Sequence, residues 1–263
     1  MDLGLKNKVA LVVAASRGLG RAVAEELAAE GASLVICARE TKTISETARD
    51  IAESTGAHVL ATTADVTSLN DINRLVESAI ARFGRIDILV TNAGGPPAGT
   101  FDSLTPEQWE AATRLTLFSA INLTREVLPG MKERGWGRIL NITSIAVKQP
   151  VDNLMLSNSL RAALTGFART LANEVATQGI TVNNILPGYT RTERVEELAS
   201  QMAAKQGITA AQFKSRWEQE IPMRRLGEPL EFAALAAFLV SERASYLTGA
   251  SIAVDGGWIK SVF

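Results

Sequence analysis

A single α/β domain on a doubly wound parallel sheet is the fold this sequence predicts, and three observations predict it. Short apolar runs at 9–13, 33–38, 58–62, 86–90, 139–142, 181–186 and 251–254 are rich in β-branched residues. They show little apolar/polar alternation, as expected of about seven strands covered on both faces. Between them lie stretches with helical spacing, among them Val23/Leu27, Ile72/Val76/Ile80 and Leu160/Leu164/Phe167/Leu171. Strands that alternate with helices and return by right-handed crossovers form an open parallel sheet flanked by helices.

The junctions follow the same logic in order along the chain. The first strand runs straight into a glycine-containing turn and a helix that the pattern starts near Arg21, and Gly31 ends that helix past Leu27. Gly56, Gly84 and Gly179 fall where later helices should stop, and Ser68 with Asp71 resembles a capping box. The stretch 191–225 holds helical pattern and no strand. Its Val195, Leu198, Met202, Ile208, Phe213, Trp217 and Met223 stand among charges. That pattern suits either an amphipathic lid over an apolar substrate or packing against the domain or a neighbouring subunit. It reads as an excursion over a cleft within one domain spanning 1–263.

Composition narrows the function classes. There are 27 Lys and Arg against 28 Asp and Glu, a net charge of −1, which gives no reason to expect nucleic acid or an anionic membrane as partner. The one cysteine, Cys37, lies in an apolar run, so neither an internal disulfide nor a multi-cysteine metal site can form, and no metal is expected. The one histidine, His58, opens a strand and makes a poor centre for a histidine triad. No uncharged run is long enough to cross a bilayer and no cleavable leader precedes the first strand, so a cytoplasmic protein is expected.

Chemistry enters at the turn after the first strand, Ala14-Ala15-Ser16-Arg17-Gly18-Leu19-Gly20. A tight glycine-containing strand-to-helix turn brings backbone N–H groups and the positive helix end up to a pyrophosphate, which points to a dinucleotide. Here the chain resembles the short-chain dehydrogenases/reductases, above all their 3-oxoacyl-acyl-carrier-protein reductase-like members, whose loop reads T-G-x-x-x-G-x-G. Val13 and Ala14 stand at its Thr and first Gly. The resemblance runs over nearly the whole chain and implies a Rossmann-like fold with Ser16, Arg17, Gly18, Leu19 and Gly20 around the pyrophosphate.

The same resemblance implies Asp65 and Val66 at the adenine and Asn92, Ala93 and Gly94 at the adenosine ribose. It places Pro187, Gly188, Thr190 and Thr192, from the pattern P-G-x-x-x-T, near the nicotinamide carboxamide and pyrophosphate. Arg39 ends the second strand where a carboxylate would hold a free ribose 2′-hydroxyl. An arginine there suits a 2′-phosphate, and Arg17 can close on the same group, so NADP(H) is favoured over NAD(H). Segments 225–229, 247–249 and 254–257 match the family's C-terminal signatures. The helix over 157–176 and the last strand match its assembly surfaces, which implies a homotetramer.

The catalytic pattern departs from the family. Members usually carry Ser, then Tyr thirteen residues on and Lys four further, the tyrosine donating a proton as hydride arrives. Ser144 is kept, but Ser157 and Arg161 stand at the tyrosine and lysine, and Thr116 at an asparagine that positions a relay water. Ser144 should polarise a substrate oxygen and Arg161 should fix the nicotinamide ribose. Ser157 or a water would then complete the proton path. Tyr189, Asp152 and Lys148 are alternative proton donors by position. The expectation is an atypical NADP(H)-dependent oxidoreductase acting on a carbonyl or alcohol. The alternative is a noncatalytic nucleotide-binding or structural relative.

Overall fold

A computed structural model describes residues 1–262, so residue 263 of the expected domain lies outside the described residues. Seven strands, β1 (Val9–Val13), β2 (Ser33–Ala38), β3 (Val59–Thr63), β4 (Ile88–Thr91), β5 (Gly137–Ile142), β6 (Ile180–Pro187) and β7 (Ser251–Val254), form one sheet in the order β3-β2-β1-β4-β5-β6-β7. All six pairings are parallel. The order reverses beside β1, so a crevice opens outside the carboxyl ends of β1 and β4, where ligands of open α/β sheets sit.

Nine α-helices connect the strands among the described residues: α1 (Gly18–Ala29), α2 (Thr41–Thr55), α3 (Leu69–Phe83), α4 (Pro106–Thr113), α5 (Ser119–Arg134), α6 (Met155–Val175), α7 (Glu193–Gln206), α8 (Ala210–Glu220) and α9 (Pro229–Leu239). Ala10 and Val12 of β1 pack with Val23, Leu27, Ile51 and Phe232 from α1, α2 and α9. Val9, Leu11 and Val13 face Leu75, Leu123 and Leu171 from α3, α5 and α6 on the other side. Every residue of β1 is therefore buried, which is why its sequence shows no alternation.

Three departures from the sequence reading have physical causes. Strand β4 begins at Ile88 rather than 86, because the fully buried Asp87 turns its carboxylate to the Val9 amide and to Arg85 and Arg134. Helix α1 begins at Gly18 rather than near Arg21, so the glycine turn is the helix's own first turn. At α3, Ser68 accepts from the Asp71 amide, but the Asp71 carboxylate accepts from the Asp65 amide and the Ser68 hydroxyl, while the Ser68 amide donates to the Asp65 carbonyl. Only half of a capping box forms there.

The stretch 191–225 is helical as expected, supplying α7 and α8. Val195, Leu198, Met202, Ile208, Phe213 and Trp217 pack with Ile145, Tyr189 and Trp258, whereas Met223 is exposed. The apolar face thus forms a satellite core against the domain. Among the described residues no helix is long and apolar enough to cross a membrane, and no cluster of His, Cys, Asp and Glu could hold a metal.

Candidate active site

The carboxyl ends of β1, β2, β4, β5 and β6 bring most of the expected site residues to one edge. Ala15 to Gly20 leave β1 there, and α1 starts with no side chain capping its first amides, leaving those N–H groups for an anion. Gly20 is required by close approach: a Cβ on it would lie 2.4 Å from the Ala14 carbonyl oxygen and 2.8 Å from Asn92 Nδ2. Asn92 Nδ2 donates to that same carbonyl at 3.4 Å, tying the β4 turn to the phosphate loop. Thr47 Oγ1 of α2 donates to the Ser16 carbonyl at 3.2 Å.

Ala14 occupies the left-handed region at φ 51°, where a Cβ is strained. The backbone at Ala14 thus takes a conformation that glycine adopts without strain. Ala14→Gly is therefore expected to stabilise the protein by about 1 kcal/mol, raising Tm by about 2–4 °C in a chain of this size. Thermal unfolding of the variant checks it, and a lower Tm would show that the loop is not strained.

Arg17 and Arg39 are both exposed at the loop and at the end of β2, and neither makes an ion pair or side-chain hydrogen bond among the described residues. Arg21, one turn into α1, is instead engaged by Glu25 at 2.7 Å and Asp50 at 3.3 Å. Asp65 Oδ1 accepts from the amide and hydroxyl of Thr67, and Val66 is buried. Ala93 is half-buried and Gly94 exposed at the crevice wall.

After β6, Gly188 passes so close to β7 that a Cβ would sit 2.7 Å from Asp255 Cα, and its amide donates to the Val254 carbonyl. Thr190 is buried, its hydroxyl donating to the Gly188 carbonyl at 3.4 Å. Thr192 caps α7 by accepting from the Val195 amide. A cleft of about 430 Å³ opens between Gly18, Arg21, Arg191, Thr192, Glu193 and Pro229, joining the first turn of α1 to the start of α7. An uncapped helix start and two uncommitted arginines at this edge fit a dinucleotide, while Gly20 and Gly188 let the turns that frame it pack against their neighbours without a Cβ.

Around the expected catalytic positions the structure is specific. Ser144 Oγ accepts from the Ala146 amide at 3.1 Å, which orients its lone pair inward and leaves its proton to donate. Ser157, in the first turn of α6, is 9% exposed and makes no hydrogen bond through its hydroxyl among the described residues. Arg161 is 8% exposed, and its Nη1 donates to the carbonyls of Ile142 at 3.0 Å and Thr143 at 2.8 Å. Burial, with a smaller push from the charge of Arg194, lowers its pKa to about 10. It stays a cation at neutral pH.

Thr116 lies where the helix widens to a π turn over Arg114–Phe118, and its buried Oγ1 has no hydrogen-bond partner among the described residues. With Thr91, Asn92, Ser119 and Arg161 it lines a water-sized cavity. Tyr189 is drawn into the satellite core instead, its ring stacked on Trp217 at 4.3 Å and edge-on to Trp258 at 5.8 Å. Burial, then Glu220 and Asp152, pushes its pKa up, making it a weaker acid than an ordinary tyrosine. Tyr246 is fully exposed.

Sequence reasoning missed a buried polar row across the sheet. Thr91 Oγ1 donates to Asn141 Oδ1 at 2.7 Å, Asn141 Nδ2 to Asn184 Oδ1 at 3.1 Å, and Asn184 Nδ2 to Ser251 Oγ at 3.1 Å. The residues face one another in register on β4, β5, β6 and β7. A signal existed: Asn141 and Asn184 are polar residues inside apolar strand runs, and Thr91 and Ser251 stand at the ends of two others. Arg194 of α7 was also missed. Its Nη2 donates to the Pro96 carbonyl at 3.0 Å, and a Cβ on Gly95 would lie 3.0 Å from its Nε.

Comparison with known proteins agrees with this architecture. The sequence model of the enoyl-(acyl carrier protein) reductase family matches residues 13–259. The NADPH-dependent reductase BacG of Bacillus subtilis is 32% identical over 259 residues, 98% of this chain and 100% of that protein. The 3-oxoacyl-[acyl-carrier-protein] reductase FabG of Escherichia coli is 35% identical over 255 residues, 97% of this chain and 98% of its own. L-sorbose reductase from Gluconobacter frateurii, solved with NADPH and L-sorbose, superposes with a TM-score of 0.95 at 36% identity and covers 100% of both chains. Fold, phosphate turn and relatives agree, and the chain belongs to the short-chain dehydrogenase/reductase family.

Proposed function

We propose that the chain is an NADP(H)-dependent oxidoreductase whose catalytic site works without the family's tyrosine and lysine. The observation that carries this reading is the pairing of an intact dinucleotide crevice with the uncommitted Arg17 and Arg39. A 2′-phosphate would give those guanidiniums charge-assisted hydrogen bonds that a bare 2′-hydroxyl cannot. NADPH appears with relatives of this chain, such as the L-sorbose reductase complex. NADH is bound by a related 7α-hydroxysteroid dehydrogenase at 31% identity, so the preference for NADP(H) rests on the two arginines.

In this reading Ser16, Gly18, Leu19 and Gly20 hold the pyrophosphate by backbone amides, and Asp65, Val66, Asn92, Ala93 and Gly94 line the adenosine side. Pro187, Gly188, Thr190 and Thr192 form the nicotinamide wall. When bound, the reduced nicotinamide supplies hydride. Ser144 donates its hydroxyl proton as a hydrogen bond to the substrate oxygen, and Arg161 supplies positive charge beneath the ribose. The substrate is a small carbonyl or alcohol compound, the protein is cytoplasmic, and the subunits assemble as a homotetramer.

The rival reading, a noncatalytic nucleotide-binding protein, draws on the missing phenolic acid. Restoring that acid separates the two. Ser157→Tyr with Arg161→Lys should raise carbonyl reductase turnover by about 100-fold or more, the usual contribution of a positioned general acid. NADPH consumption over a ketone panel reads the result. No gain in a folded, NADPH-binding double variant would show that the rest of the site is not built for hydride transfer to a carbonyl.

A further inference from the structure

We propose that the water-sized cavity lined by Thr116 and Arg161 is a binding site for one monatomic anion, chloride or bromide, which serves as the counterion that the protein itself does not supply.

The polar lining of the cavity is Thr91, Asn92, Thr116, Ser119 and Arg161, and no carboxylate stands in its walls. Arg161 is a buried cation, and no acidic side chain pairs with it among the described residues. Its Nη1 donates to the carbonyls of Ile142 and Thr143, while its Nε and Nη2 make no hydrogen bond among the described residues. Carbonyl dipoles satisfy N–H groups but leave the net charge in place. The other charge that acts on Arg161 is Arg194, which is also positive. A buried charge without a partner is costly, and an anion beside it relieves the cost.

The same cavity holds an orphaned donor. Thr116 is 5% exposed, and its Oγ1 has no hydrogen-bond partner among the described residues. Helical serine and threonine can donate to the carbonyl one turn back. Thr113 does so to Trp109 and Ser119 to Leu115, on either side of Thr116. Thr116, inside the π turn, does not. Thr91 spends its proton on Asn141 and Ser119 on Leu115. The uncommitted donors of the lining are therefore the Thr116 hydroxyl, the second hydrogen of Asn92 Nδ2, and Arg161.

A cavity of this size admits a water or a monatomic ion and excludes polyatomic anions such as sulfate. A water would satisfy the Thr116 hydroxyl and leave the charge of Arg161 uncompensated. A halide accepts the same hydrogen bonds and also neutralises the charge, and in a desolvated cavity the charge is the larger effect. Nε and Nη2 of Arg161 are both uncommitted, so one can hold the anion while the other remains for the nicotinamide ribose.

The test compares thermal unfolding of the purified protein in sodium chloride and in sodium methanesulfonate, an anion too large for the cavity, at equal ionic strength and pH. Chloride is expected to raise Tm by about 2–4 °C, and bromide to do the same. Thr116→Val keeps the shape of the side chain and removes the hydroxyl. In methanesulfonate it should unfold no earlier than the parent, because the orphaned group is gone, and in chloride it should lose most of the shift. Arg161→Leu should lose the shift as well. A crystal soaked in bromide should show an anomalous peak within hydrogen-bond distance of Thr116 Oγ1 and an Arg161 nitrogen. A water or an empty cavity there overturns the proposal, as does a chloride shift that Thr116→Val keeps in full. A bromide peak seen only at crystal concentration, with no chloride shift in solution, overturns it too. None of these measurements uses NADPH or a substrate, so their outcome is separate from that of the oxidoreductase reading.

Discussion

Arg39→Asp is expected to weaken NADPH binding about 100-fold, equivalent to about 2.7 kcal/mol, while NADH binding holds or improves. Arg39 leaves the end of β2 with no ion pair among the described residues, so nothing in the protein competes with a phosphate for it. The substitution removes a charge-assisted donor and sets a carboxylate against the 2′-phosphate. The same carboxylate would accept a hydrogen bond from a free 2′-hydroxyl, which is the basis of NAD selectivity in this fold. Arg82→Asp is the control, because Arg82 ends α3 at the opposite edge of the sheet, and it should change neither affinity. Equal losses for both cofactors in Arg39→Asp would remove Arg39 from the phosphate site.

Asn141→Leu should destabilise the protein by about 2–4 kcal/mol, read as a lower urea midpoint at unchanged slope. Asn141 is fully buried and is the middle of the row from Thr91 to Ser251. Leucine matches its size but strands the Thr91 hydroxyl and the Asn184 carbonyl oxygen in an apolar interior. The site should loosen too, because the next two residues, Ile142 and Thr143, supply the carbonyls that hold Arg161. Ser251→Ala, at the half-buried end of the row, should cost only about 0.5–1 kcal/mol. A neutral Asn141→Leu would show that the row does not bear stability.

How much of this was legible in the sequence depended on how local its cause was. Runs 9–13 and 33–38 match β1 and β2, because a strand covered on both faces writes its burial directly into composition, and run 251–254 matches β7, a half-buried edge strand. The start of β4 shifted because Asp87 spends its side chain on residues distant in sequence, Val9 and Arg134. The apolar residues of 191–225 were visible, but periodicity cannot say what covers them; Tyr189 and Trp258, contributed from outside the two helices, do.

The site divides in the same way. The turn after β1 and the 187–192 segment gather at one sheet edge because they sit at strand ends, which sequence order fixes. The resemblance implied that Ser157 and Arg161 are replacements for tyrosine and lysine, and that expectation was equally readable. What those replacements do was not, since the carbonyl partners of Arg161 and the nearby Arg194 come from β5 and α7. The strain at Ala14 likewise needed the backbone angle, not the residue type.

If the dinucleotide site is tuned to a 2′-phosphate while Ser157 and Arg161 stand where a tyrosine and a lysine are expected, the purified protein binds NADPH in preference to NADH. Isothermal calorimetry with NADPH, and with NADH as the matched control, measures that preference. NADPH should bind at least about tenfold tighter than NADH, a difference of about 1.4 kcal/mol. Failure to bind either cofactor, or equal affinity for both, would contradict it.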